Sequence, residues 1–239
     1  MVRQNVRRLL RALGYDVVRS DPSSYLVALR RQLLTMKEID VVLDVGANAG
    51  QFGAVLRRDL GFGGRICSFE PLASAFRLLE ELAVQDGEWQ VFHVALGDKP
   101  GCTTINVSDN SLSSSLLDML PTHLDAAPES MYVGTEEVNV TVLDAVFDDV
   151  CAPGERVFLK IDTQGYEGRV LSGARRSLPK IDLVQLEMPL LPLYAGELSF
   201  ADLCEHMFAQ GFRLVALDPA FSDPRTGQLL QVDGIFDRP

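Results

Sequence analysis

No two cysteines stand in a CxxC spacing. Cys67, Cys102, Cys151 and Cys204 are scattered along the chain. That excludes a disulfide framework and a cysteine zinc site, and predicts reduced, buried thiols. No apolar run approaches the ~20 residues of a membrane span. The N-terminus lacks the apolar core and small-residue cleavage site of a signal peptide, so a cytoplasmic protein is expected. Cationic residues are also short: 22 Lys and Arg stand against 33 Asp and Glu, for a net charge of −11. A general nucleic-acid binder needs a basic surface to displace counterions from phosphates, so that class is excluded. Repeats and low-complexity linkers are missing too.

What remains is a chain of 239 residues, 47% hydrophobic and 23% charged, enough for one large α/β domain with a short accessory arm. The arm is residues 1–37 and the domain residues 38–239. Residues 1–37 carry eight Lys or Arg and two acids, whereas the rest carries 14 against 31. Val2, Val6, Leu9, Leu10, Leu13 and Val17 recur near a 3.6-residue period with arginines between them, which predicts an amphipathic helix over residues 2–19. A second helix is expected from Ser23 to Met36. Two uses of the arm stay open: contact with an anionic membrane surface, or packing on the domain or on a second copy of the chain.

From Val41 the pattern becomes strand, glycine turn, helix, strand, helix, strand, which is doubly wound. Val41–Val45 reads as a parallel strand buried on both faces. Arg65–Glu70 reads as the second strand, Pro71 opens a helix, and Val91–Leu96 is the third strand. Later strands are expected at Val157–Ile161, Ile181–Glu187 and Phe212–Leu217, with Leu229–Phe236 closing the sheet as an antiparallel strand. Helices are expected at Glu167–Leu178 and Ser199–Gln210. Between Gly97 and Phe147 lies an insertion with strands at Thr103–Val107 and Val138–Val142. Loops at the carboxyl edge of such a sheet bind ligands.

Three motifs carry chemistry. The first is Asp44-Val-Gly46-Ala-Asn48-Ala-Gly50, between a buried strand and a helix. Its glycines let the backbone approach a ligand closely, and the helix start favours a carboxylate or phosphate. Its spacing is not the GxGxxG of dinucleotide enzymes. Asp44 adds a carboxylate able to act on a sulfonium-bearing amino acid, often through water. The second is Ser68-Phe69-Glu70-Pro71, where Glu70 can accept hydrogen bonds from both hydroxyls of an adenosine ribose. A dinucleotide dehydrogenase would place an acid there as well. The third is Lys160-Ile-Asp162-Thr-Gln164-Gly-Tyr-Glu167, at the end of the fourth strand. Asp162 there can take a proton from a hydroxyl or bind a metal that does so. Glu167 reads as structural, and Lys160 as a salt-bridge residue.

Taken together, VLDVGANAGQF, SFEP and LKIDTQGYEGRVLSGA resemble the FkbM family of S-adenosylmethionine-dependent O-methyltransferases. Ala95-Leu96-Gly97-Asp98, Ser113–Leu116 and Val142-Leu143-Asp144 fit the same order. The resemblance implies a class I methyltransferase fold, with a Rossmann-like doubly wound sheet. It implies transfer of the sulfonium methyl to oxygen. Asp44, Gly46, Asn48 and Gly50 would hold the methionine part, Glu70 and Pro71 the ribose, and Ala95 and Leu96 the adenine. The expected acceptor is a hydroxyl of a sugar, glycolipid or other small molecule. A sugar hydroxyl is a poor nucleophile at neutral pH, so a base or metal helps. Asp162, Glu187 and His123 are the candidates, Asp162 by its place at the strand end. A divalent metal between Asp162 and Glu187 is conceivable. The serine run 111–115 reads as a lid over substrate or cofactor, or a solvated loop; His93 and His206 read as structural. Two other functions remain open: a cofactor-binding or assembly protein without turnover, and a nicotinamide-dependent oxidoreductase.

Overall fold

The computed structural model describes residues 25–239, so the helix expected over residues 2–19 lies outside the described residues. The strands β1 (Val41–Val45), β2 (Arg65–Phe69), β3 (Trp89–Phe92), β7 (Val157–Ile161), β8 (Leu183–Pro189), β9 (Arg213–Ser222) and β10 (Leu229–Asp237) form one sheet. Their order is β3-β2-β1-β7-β8-β10-β9. Among these seven strands, β10 alone runs opposite to the other six. The strand order reverses between β1 and β7, and the sheet opens a crevice at its carboxyl edge there.

Alternation along the strands sorts the core into two layers. Val41, Leu43 and Val45 of β1 share one face with Leu159, Ile161 and Leu186. That face is covered by α5 (Leu143–Val150), α6 (Glu167–Ser172) and α7 (Phe200–Ala209). Val42, Ile66, Phe158 and Leu183 occupy the other face, under α1 (Tyr25–Met36), α2 (Gln51–Arg58) and α3 (Ala73–Ala83). By the same alternation Ser68, Asp44, Lys160, Gln185 and Glu187 belong to this second face. Polar side chains thus interrupt an apolar layer near the strand ends. Helix α1 is fastened to the layer by Leu34, which is buried with Val42, Leu56 and Phe158.

Several elements differ from expectation for identifiable reasons. The third strand is split. A tight turn closed by Val94 N–H on the Phe92 carbonyl (3.0 Å) ends β3. It moves Ala95–Leu96 (β4) into a second sheet of order β4-β6-β5, with β5 (Gly101–Ser108) and β6 (Tyr132–Thr141). His93 therefore lies beyond β3, exposed, its ring stacked on Phe76 at 4.6 Å. Pro71 does not open α3: Glu70 accepts the Leu72 N–H (2.8 Å), which holds Leu72 extended and starts the helix at Ala73. Helix α6 ends at Ser172, six residues short of expectation. Gly173 packs on the Gly97 carbonyl, where a Cβ would stand 1.9 Å from the oxygen. The Asp144 carboxylate then takes the N–H groups of Arg176 and Ser177. Helix α5 was not anticipated at all. Strand β9 runs on through Pro219, which an edge strand tolerates. A short helix, α4 (Pro121–Ala126), precedes β6. All four thiols are free, but Cys102 is exposed rather than buried. Burial raises Cys67 to about 11 and Cys151 to about 12.

Candidate active site

A cavity of about 600 Å³ opens at the carboxyl ends of β1, β2, β7 and β8. Its first end is shaped by backbone. Gly46 has φ +76°, and a methyl there would stand 1.8 Å from the Asp162 carbonyl oxygen, so only glycine fits. Asn48 is also left-handed, at φ +46°. Its side chain holds the turn, accepting from Ala49 N–H (2.8 Å) and donating to the Ser111 carbonyl (3.2 Å). The insertion loop is thereby tied across the glycine turn. Glu70 is buried, and each of its carboxylate oxygens accepts one backbone N–H, from Asn48 and from Leu72, both at 2.8 Å. Burial pushes this carboxyl up to about 7, against the two hydrogen bonds. Leu72, Ala95, Leu96 and Ile105 give the neighbouring wall an apolar lining.

The second end is shaped by side chains. The ammonium of Lys160 lies 3.2 Å from Asp44 and 3.3 Å from Asp162, over the Phe52 ring at 5.3 Å. Burial works against its charge, but Asp162 and Asp44 outweigh it and keep Lys160 protonated. Asp162 is 36% exposed to the cavity. Desolvation would raise its carboxyl, yet Lys160 and Gln164 hold it below the ordinary value. The Gln164 amide donates to Asp162 (3.1 Å) and to Glu187 (2.7 Å) and accepts from the Tyr194 hydroxyl (2.7 Å). Gln164 sits at φ +53°, a strained conformation of the kind held at functional sites. Burial, and then the charge of Asp162, push Glu187 well above the ordinary range. Burial followed by Asp162 likewise raises Asp233, to about 6.

The model of the methyltransferase FkbM domain matches residues 44–214, most of the chain. The protein belongs to the FkbM methyltransferase family. An FkbM methyltransferase from Methylobacillus flagellatus KT superposes with a TM-score of 0.52 at 15% identity, over 82% of this chain. This chain spans 44% of that protein's length. A Klebsiella pneumoniae protein proposed to be an O-methyltransferase superposes with a TM-score of 0.51 at 11% identity, over 98% of this chain and 88% of its own. At those identities the two structures share the class I methyltransferase fold. No curated protein matches the chain in sequence.

In this FkbM chain, Gly46, Asn48, Glu70, Pro71, Ala95 and Leu96 line the cavity together, as do Asp162 and Glu187 at its other end. Three expected site residues are placed elsewhere. Asp44 is fully buried beneath the wall, with Lys160 between it and Asp162. Gly50 caps α2 and faces Leu79, Leu82 and Trp89. His123 is buried on α4 against Tyr194 and Phe221, its Nε2 on Ser130 (3.2 Å). Burial lowers His123 to about 4, leaving a neutral packing residue away from the cavity. Glu167 is structural, its carboxylate accepting the Thr163 N–H at 2.8 Å.

Sequence reasoning passed over Gln185, Asp218, Asp233, Arg30 and Tyr194. Gln185 and Glu187 alternate on a strand that is otherwise apolar on both faces, and that pattern was a readable signal. Arg30 gave none. Among the described residues, no group of three His, Cys, Asp or Glu side chains is arranged to hold a metal ion, so the metal conceived between Asp162 and Glu187 has no ligand set there.

Proposed function

We propose that this methyltransferase moves a methyl group from S-adenosylmethionine to a hydroxyl oxygen of a small-molecule or glycosidic acceptor. The observation that carries the reading is one cavity holding Glu70 at one end and the Asp162–Gln164–Glu187 array at the other.

The first end fits the cofactor. Each Glu70 oxygen keeps a free lone pair after its single backbone hydrogen bond, which suits two ribose hydroxyls. The apolar wall of Leu96 and Ile105 suits a flat purine, and the Gly46–Asn48 turn lets backbone approach the amino-acid part. The bound cofactor supplies a methyl carbon already activated by positive sulfur.

At the second end the protein orients the acceptor and receives a proton. Positioning for in-line attack supplies much of the rate. As the oxygen–methyl bond forms, the carbon–sulfur bond breaks and the hydroxyl becomes strongly acidic. A carboxylate of ordinary basicity then suffices as base. Asp162 fits that role: Lys160 keeps it ionised, and it is open to the cavity. Glu187, pushed upward by burial and then by the charge of Asp162, holds through Gln164 the direction in which Asp162 points. The products are a methyl ether and S-adenosylhomocysteine, with the proton on Asp162 passing to water. The serine loop at residues 111–115, tied to Asn48, would shield the reacting atoms from solvent.

Incubation with methyl-labelled cofactor and a cell extract, followed by mass spectrometry, tests the reading. The expected product is an extract compound heavier by one methylene, formed by the wild type and lost in Asp162→Asn while S-adenosylhomocysteine still binds. Binding of S-adenosylhomocysteine with no labelled product would favour a cofactor-binding protein without turnover.

A further inference from the structure

The acceptor end of the cavity holds two buried polar atoms with no hydrogen-bond partner among the described residues: Arg30 Nε, a donor, and Gln185 Oε1, an acceptor. Gln185 is only 3% exposed. Both residues are fixed by the same carboxylate oxygen of Asp233. The Gln185 amide donates to it at 3.0 Å and the Arg30 guanidinium at 3.5 Å. The same guanidinium nitrogen lies 3.1 Å from Asp218. Strand register brings these acids together, with Asp233 opposite Glu187 and Asp218 opposite Asp233.

We propose that Arg30, Gln185 and Asp233 form the acceptor-recognition subsite, which takes an uncharged hydroxyl-bearing ligand and turns away anionic ones. The inference rests on the methyl-transfer reading above. A hydroxyl both donates and accepts, so hydroxyl groups suit an acceptor such as Gln185 Oε1 and a donor such as Arg30 Nε alike. A buried donor or acceptor left without a partner is costly, and a ligand that meets both relieves that cost. Charge selects further. Among the described residues, the two cations of this end are already engaged, Lys160 between Asp44 and Asp162, and Arg30 between Asp218 and Asp233. A phosphate or carboxylate on the acceptor would meet carboxylates and, among the described residues, no free cation. Arg30, Asp218 and Asp233 all fall outside residues 44–214. Two of the three subsite residues, Arg30 and Asp233, thus come from beyond the matched domain and meet Gln185 from within it.

The test uses the full-length chain with methyl-labelled S-adenosylmethionine. Polar and lipid extracts are separated by ion exchange into anionic, cationic and uncharged fractions. The wild type is expected to label the uncharged fraction. R30M and Q185L are expected to lower the initial rate at limiting extract by about tenfold or more, with recovery as extract is raised. Their affinity for S-adenosylhomocysteine should stay unchanged, which shows that they fold. R30K keeps a charge for Asp218 but loses the Nε donor, and is expected to fall by the same factor. Label in the anionic or cationic fraction overturns the proposal, as does wild-type behaviour of R30K and Q185L. Label in no fraction, with S-adenosylhomocysteine bound, overturns the methyl-transfer reading and the subsite with it. Label in the uncharged fraction that ignores both substitutions overturns the subsite alone.

Discussion

At the cofactor end of the cavity the wall is main chain, set by left-handed Gly46 and Asn48 and by amide groups donated to Glu70. At the other end it is side chain, with Lys160 on β7, Asp162 and Gln164 in the turn after it, Gln185 and Glu187 on β8, and Arg30 arriving from α1. Main chain is fixed by the fold and can change only at the expense of the fold. Side chains on strand ends can be exchanged while the sheet stays as it is. A cavity built this way can keep its main-chain end constant while its side-chain end varies.

Substitutions at the two ends should therefore fail differently. The largest effect is expected from Gly46→Ala. The new methyl meets a backbone carbonyl at 1.8 Å and the residue must hold φ +76°, so unfolding in urea should show a loss of more than about 3 kcal/mol. A Gly46→Ala protein as stable as the wild type would break the comparison. Glu70→Ala comes next. Removing two charge-assisted hydrogen bonds should weaken S-adenosylhomocysteine by about a hundredfold in calorimetry. At the other end, Gln164→Ala should leave that affinity alone and lower kcat by roughly ten- to a hundredfold, since it frees Asp162 and Glu187 to turn.

A smaller effect is set by pH. The ligand needs Glu70 ionised, and burial has raised that carboxyl to about 7. Affinity for S-adenosylhomocysteine should fall about tenfold from pH 8 to pH 6 as Glu70 gains its proton. Glu70→Gln should flatten this dependence, and a profile equally steep in that variant would assign it to another group. The smallest effect is expected from His123→Gln, with labelled transfer changed less than about twofold, because the ring packs on Tyr194 and Phe221 away from the cavity.

The same contrast explains what could be read in advance. The main-chain end was legible because a turn needing positive φ leaves glycine and asparagine in the sequence at fixed places, and Glu70 follows one strand later. The doubly wound order was legible because strands buried on both faces read as short apolar runs. The acceptor end was only half legible. Asp162 and Glu187 stood out at strand ends, but Asp233 meets Glu187 only through the pairing of β10 with β8, and Arg30 arrives across 203 positions of chain. His123 was misplaced because a suitable pKa in water says nothing about burial. The split of the third strand escaped notice because its cause is one Val94–Phe92 hydrogen bond, invisible in an apolar run.

The single tryptophan of the chain lies where it can watch these events. The Trp89 indole covers Gly53, where a Cβ would stand 2.2 Å from the ring, and its Nε1 donates to Ser68, which donates in turn to Asp44. Its fluorescence is thus coupled both to the start of α2 and to the buried charge beneath the cavity floor. Movement of that turn or loss of that charge will change the emission, so events at this end of the cavity have an optical readout that requires no attached dye.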